Sequence, residues 1–112
     1  GVGHWVLLFR SPECGVELFD SYGLGYRGII RVSHNPDKLQ KILSKTHAYV
    51  SKHPYQSKEH SQTCARHAVT RWNCCHLKPR EYAALMHDPR MSADEVVTML
   101  TLSQDLTKFR AK

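Results

Sequence analysis

A chain of 112 residues, 41% hydrophobic and 23% charged, has the make-up of one ordinary globular domain. No apolar run approaches the roughly 20 residues of a membrane-spanning helix, so no membrane partner is expected. The net charge is +6, and adjacent Cys74 and Cys75 do not suit a disulfide framework, so free thiols in a reducing, intracellular setting are expected.

His4 to Arg10, HWVLLFR, is rich in aromatic and apolar residues and ends at the turn Ser11-Pro12-Glu13. Val16 to Asp20, VELFD, is a second such run, and the two predict an antiparallel hairpin. SYGLGYRG, with three glycines, predicts a loop, and IIRVS a short strand. Asn35 then caps a helix with Pro36 at its first position and Leu39, Ile42 and Leu43 at helical spacing. AYVSKHPYQ reads as extended, because Pro54 biases His53 away from helix.

A helix starting near Ser61 carries Cys64, Ala65, Ala68, Val69 and Trp72 as one apolar stripe facing a core. Another helix is expected from about Glu81 to Met86. The last opens at Ser92, with Glu95 completing a capping box and Val96, Val97, Leu100 and Leu102 giving it an apolar side. Strands first and helices afterwards predict a single α+β domain over residues 1–112, a small antiparallel or mixed sheet packed against helices.

The basic residues are unevenly spread. Arg27, Arg31, Lys38, Lys41, Lys45, Lys52 and Lys58 face Asp37 alone between positions 27 and 58. The first five are candidates for contacts to nucleic-acid phosphates, with a merely solvated face as the alternative.

Cysteine catalysis needs a thiolate, a base, a group that orients the base, and donors for an oxyanion. A helix N-terminus favours negative charge, and Cys64 stands near one. His4 opens the first strand beside Trp5, and Asp20 ends the partner strand, where it can fix the imidazole tautomer. Gln56 can offer its amide to the oxyanion, together with the backbone N–H of Cys64. Gln62 is a rival amide, and Trp5 is expected to pack beneath the histidine.

The chain order His, Asp, Gln, Cys excludes the papain arrangement, in which the cysteine comes first. With the His4-Trp5 pair, Asp20, Gln56 and Cys64, it resembles the adenovirus-type maturation proteases, the clan that includes the SUMO-specific proteases. Q-x7-C-x-R-H, followed by REYAALM and SADEVVTMLT, looks like the capsid-maturation proteases of virophages and Polinton-type elements. The resemblance covers roughly His4 to Thr101. It implies a cysteine endopeptidase that cleaves capsid or other structural precursor proteins in the virion interior or the assembling host cell. Its site would be catalytic His4, Asp20 and Cys64, with Gln56 at the oxyanion and the Cys at a helix N-terminus. It implies no required cofactor or metal and no membrane partner, with viral DNA as a candidate activator.

Two departures from the family stand out. Ala65 replaces the usual Gly after the cysteine, which predicts weakened oxyanion geometry. Only GVG precedes His4, where relatives carry some tens of residues, so either the fold is minimal or an N-terminal portion lies outside this chain. Three alternatives remain in view. One is a ubiquitin-like-protein isopeptidase using the same four residues. Another is an inactive virion component that binds nucleic acid. The third is a zinc-bound module using Cys64, His67, Cys74, Cys75 and His76.

Overall fold

Two short paired strands organise the molecule, which the computed structural model describes over residues 4–12, 15–57 and 63–102. Strand β1 (Leu7–Ser11) runs antiparallel to β2 (Gly15–Phe19), with Leu7 opposite Phe19 and Phe9 opposite Glu17. A two-residue strand β3 (Tyr49–Val50) joins the other edge of β2 in parallel, giving a mixed sheet of order β1-β2-β3. The helices are α1 (Gly25–Val32), α2 (Pro36–Thr46), α3 (Cys64–Asn73), α4 (Pro79–Met86) and α5 (Ala93–Thr101). The chain is therefore α+β, the expected class.

Successive strand residues point to opposite faces, and β2 uses both. Leu18 packs with Ile29 of α1, Leu43 of α2 and Val50 of β3. Phe19 points the other way, into a core with Phe9, Tyr55, Tyr82 of α4, Met86 and Val97 of α5. Tyr55 and Tyr82 stack against Phe19 at centroid distances of 5.5 and 5.7 Å. Burial pushes the Tyr55 phenol up to about 12 and raises that of Tyr82 as well.

The helix signals at α2 and α5 form as expected. The Asn35 side chain accepts from the Lys38 N–H with Pro36 at N1, and Ser92 and Glu95 form a reciprocal capping box. Other expectations change. IIRVS is not a strand but the end of α1. As a strand it would set Ile29 and Arg31 on one face, whereas the helix buries Ile29 and exposes Arg27 and Arg31 together. β1 starts at Leu7, so His4 precedes the strand rather than opening it. α3 begins at Cys64, not near Ser61, after the non-helical Thr63. Leu100 and Leu102 are exposed, and Val97 carries most of the burial of α5. Glu13, Cys14, Lys58 and Gln62 lie outside the described residues.

The apolar stripe expected of α3 is too narrow. Ala68 and Val69 are buried, but so are His67, Thr70 and Arg71, while Trp72 is 50% exposed. Arg71 explains the difference. Its guanidinium makes a forked pair with Glu17 in the middle of β2, Nε to Oε2 at 3.0 Å and one terminal N–H group to Oε1 at 2.9 Å. The terminal nitrogens also donate to the carbonyls of Cys74 and Leu77, and the cation lies over the rings of Phe9 and Tyr82. A buried charge is tolerable when it is paired and hydrogen-bonded in this way. Glu17→Leu should therefore cost about 3–5 kcal/mol in urea unfolding, and adding Arg71→Met should recover much of it. A loss under about 1 kcal/mol, the scale of an exposed pair, would contradict a dry ion pair here.

Candidate active site

The end of the hairpin brings the first two candidate residues together. Continuing the β1–β2 pairing past Leu7 and Phe19 sets Val6 opposite Asp20 and His4 opposite Tyr22. His4 Nε2 lies 2.6 Å from Asp20 Oδ1, and the imidazole stacks on the Tyr22 ring at 4.5 Å. The aromatic partner of His4 is thus Tyr22, not Trp5. Asp20 is fully buried, and its carboxylate also accepts from the N–H groups of Tyr22 and Leu24, both at 3.1 Å. Burial alone would raise its pKa, but the bonds from His4 and these two amides outweigh burial and hold it below the ordinary value. An ionised carboxylate can only accept, so Nε2 is the donor of this bond and Nδ1 is the ring nitrogen not engaged by Asp20.

Cys64 is the first residue of α3, where backbone N–H groups have no acceptor within the helix. Its sulfur accepts from the backbone N–H of Trp5 at 3.4 Å, so the thiol is held against the residue that follows His4. The strand end carrying the imidazole and the helix carrying the thiol thus meet directly. Ala65 lines an apolar groove of about 340 Å³ with Trp5, Val6, Leu7, Leu8 and Trp72. On the His4 side, a second cleft is bounded by Tyr22, Leu24, Ile29, His34 and Leu39.

Gln56 reaches the site through Ser21, the neighbour of Asp20. The Ser21 carbonyl accepts from the N–H groups of both Tyr55 and Gln56 at 2.8 Å, and its hydroxyl donates to Gln56 Oε1 at 2.6 Å. The Ser21 hydroxyl thus fixes the amide through Oε1. Gly23 allows this approach. Its φ is +67°, and a Cβ there would sit 2.7 Å from backbone atoms of Lys52, His53 and Pro54. One turn therefore orients the imidazole through Asp20 and the amide through Ser21.

Sequence reasoning passed over a second carboxylate. Asp94, in the first turn of α5, accepts from the Ser57 N–H at 3.0 Å, the Thr63 hydroxyl at 2.7 Å and His67 Nε2 at 2.8 Å. Burial opposes its ionisation, but these bonds prevail and keep its pKa below the ordinary value. Arg66 adds a further tie to α5 through the hydroxyl and carbonyl of Thr101. Words distant in the sequence, TCARH and ADEVVT, are thereby one network. Their capping pattern was legible; their pairing had no local signal. Tyr22 and Ser21 were missed for the same reason, as residues of a turn read only for its glycines.

The basic candidates lie elsewhere. Arg27 and Arg31 on α1, and Lys38, Lys41 and Lys45 on α2, are all exposed. Among the described residues, no three His, Cys, Asp or Glu side chains come together to hold a metal ion. Cys64 and Cys74 stand at opposite ends of α3, and His67 is committed to Asp94. No helix among the described residues is long and apolar enough to cross a membrane.

No protein-family model matches the chain, and no solved structure matches it. The chain is similar to the uncharacterized protein V9 of Sputnik virophage, with 29% identity over 117 aligned positions. The alignment covers 89% of this chain and 66% of V9, so the chain spans just under two thirds of that relative. The similarity is to a viral protein.

His67 gives the network a pH signature. Burial keeps its imidazole below the ordinary 6.5 despite the opposing pull of Asp94. The unfolded chain then takes up a proton near pH 6.5 that the folded chain refuses, so stability is full above 6.5 and falls as pH drops toward the folded value. The depressed Asp20 and Asp94 lose their contributions in a separate, lower window, below their ordinary 3.8. The urea midpoint should accordingly fall between pH 7.5 and 5, and His67→Gln should flatten that fall. A wild-type midpoint unchanged over this range would refute the assignment.

Proposed function

We propose that this protein is a cysteine endopeptidase of the adenovirus-maturation type, acting on precursor structural proteins of a virus-like particle. The observation that carries the reading is the junction of two elements. The Asp20-bound imidazole of His4 is adjacent in the chain to the amide that holds the Cys64 sulfur at the start of α3. His4 Nδ1 takes the thiol proton, and Cys64 attacks the scissile carbonyl to form a tetrahedral oxyanion. The Gln56 amide and the Cys64 N–H stabilise that oxyanion, each such donor contributing about 3 kcal/mol. Collapse breaks the C–N bond while His4 returns the proton to the leaving amine, and water then hydrolyses the thioester.

The likeness to a virophage protein supports a viral setting. The nearly all-apolar groove along β1 and α3, beginning beside Cys64, supports an extended peptide substrate. Ala65 is among the residues that line this groove, which supports a tolerated change rather than a blocked oxyanion site. Exposed Arg27, Arg31, Lys38, Lys41 and Lys45 are the surface through which viral DNA would act.

The test is site-resolved alkylation by iodoacetamide, with peptide mass spectrometry separating Cys64 from Cys14, Cys74 and Cys75. At pH 6.5, Cys64 should react at least about tenfold faster than the other three, and His4→Ala should remove the excess. Asp20→Asn should remove part of it. Equal rates at all four cysteines, indifferent to His4, would sink the protease reading.

A further inference from the structure

The oxyanion step needs the Gln56 amide and the Cys64 N–H to keep a fixed separation. Both flanks of the chain between them end on one carboxylate. Ser57, next to Gln56, gives its N–H to Asp94 Oδ2, and Thr63, next to Cys64, gives its hydroxyl to Asp94 Oδ1. We infer that Asp94 is a positioning residue that holds Gln56 in place relative to Cys64, an inference that rests on the protease reading.

Three features make Asp94 suited to this role. A carboxylate is acceptor-only on both oxygens, so it can take three converging donors at once, which no neutral side chain of that size can do. Its third donor, His67, lies one turn below Cys64 on α3, so the carboxylate fixes the helix as well as its lead-in. Asp94 is itself held, because the Ser92–Glu95 capping box sets the start of α5 and the Arg66–Thr101 bonds tie that helix to α3. Asp94 is 8% exposed, so little water is available to replace a lost bond.

The bonds that bring Cys64 to His4 are different ones. The thiol is held by the Trp5 N–H, and the imidazole by Asp20 and Tyr22. A weakened Asp94 network would therefore disturb the oxyanion donors more than the thiol–imidazole pair. A residue that served the fold alone would disturb both together.

Two probes separate these cases. With iodoacetamide the Cys64 sulfur bonds to the methylene carbon as the C–I bond breaks and iodide leaves, and no oxyanion forms. With p-nitrophenyl acetate the sulfur attacks the carbonyl carbon, an oxyanion forms, and the C–O bond breaks to release p-nitrophenolate and leave an acetyl thioester. Both products are read at the Cys64 peptide by mass spectrometry. Asp94→Asn sets an NH2 group against one of the three donors. It should slow acetylation by about tenfold or more, up to the roughly 100- to 1,000-fold of losing an oxyanion donor outright, while changing alkylation less than about threefold. Adding Asp94→Asn to Gln56→Ala should cost little beyond Gln56→Ala alone, because the two changes act on one group.

The inference is overturned if Asp94→Asn, with a cooperative melting transition above the assay temperature, acetylates at the wild-type rate or slows both reactions equally. If that variant does not fold, Thr63→Val removes the hydroxyl bond to Asp94 and leaves the carboxylate in place. The same selective loss at smaller size is expected from it, and equal slowing or none overturns the proposal. Acetylation that depends on His4 and Gln56 but not on Asp94 defeats this inference alone. Acetylation indifferent to His4 and Gln56 defeats the protease reading and this inference with it.

Discussion

The forked bond between Arg71 and Glu17 is the constraint on which the rest of the arrangement depends. Glu17 lies at the centre of β2, the strand that leads into Asp20, and Arg71 lies two turns along the helix that starts with Cys64. The pair therefore ties the strand that delivers the carboxylate to the helix that delivers the thiol. An apolar contact would hold the two together without fixing their relative slide, since apolar side chains accept many positions of nearly equal energy. A planar guanidinium forked onto a carboxylate accepts very few.

Given that frame, the turn after β2 orients several groups with few residues. The backbone of Asp20 is held by Ser51, whose hydroxyl takes the Asp20 N–H, and Ser51 in turn follows β3. The Asp20 carboxylate then draws in His4 from the chain before β1, while Ser21 draws in Tyr55 and Gln56 from the chain after β3. Segments far apart in sequence converge because β2 is the middle strand and its end is reached from both neighbours. Asp20 acts on the imidazole with a charge, and Ser21 acts on the amide with a neutral hydroxyl. Each suits its partner, since an imidazolium gains from a nearby anion and a neutral amide needs only direction.

The parts of this site that were legible in the sequence are those with a local cause. His4, Asp20, Gln56 and Cys64 stand out as candidates through the order that resembles a protease family and through the hairpin that two apolar runs around a turn predict, and Asn35 and Ser92 through capping chemistry. Where a long-range contact decides the outcome, local reading fails. IIRVS has strand-forming side chains but becomes helical, because Leu18, Leu43 and Val50 offer Ile29 a pocket that only a helix can fill while turning Arg31 to water. Trp72 fits an apolar stripe by spacing yet is half exposed, because Arg71 beside it has the stronger claim on the interior. Asp94 reads as a favourable charge in the first turn of a helix, a sufficient local explanation that hides its bonds to Ser57, Thr63 and His67.

The polar side of α3 suggests why so many ionisable groups are buried in so small a protein. Glu17, His67, Arg71 and Asp94 are largely withdrawn from water, whereas Leu8, Trp72, Leu85 and Met99 are left exposed. Hydrophobic burial alone would favour the opposite distribution. What the polar contacts add is rotational definition. A helix turned by one residue swings each side chain by about 100°, enough to carry a side chain at its first position away from a strand end. Arg71 on Glu17 fixes the rotation of α3 with two directional bonds, and His67 on Asp94 ties its first turn to α5. The cost in desolvation is borne where the proposed chemistry requires a single orientation, at the helix that begins with Cys64.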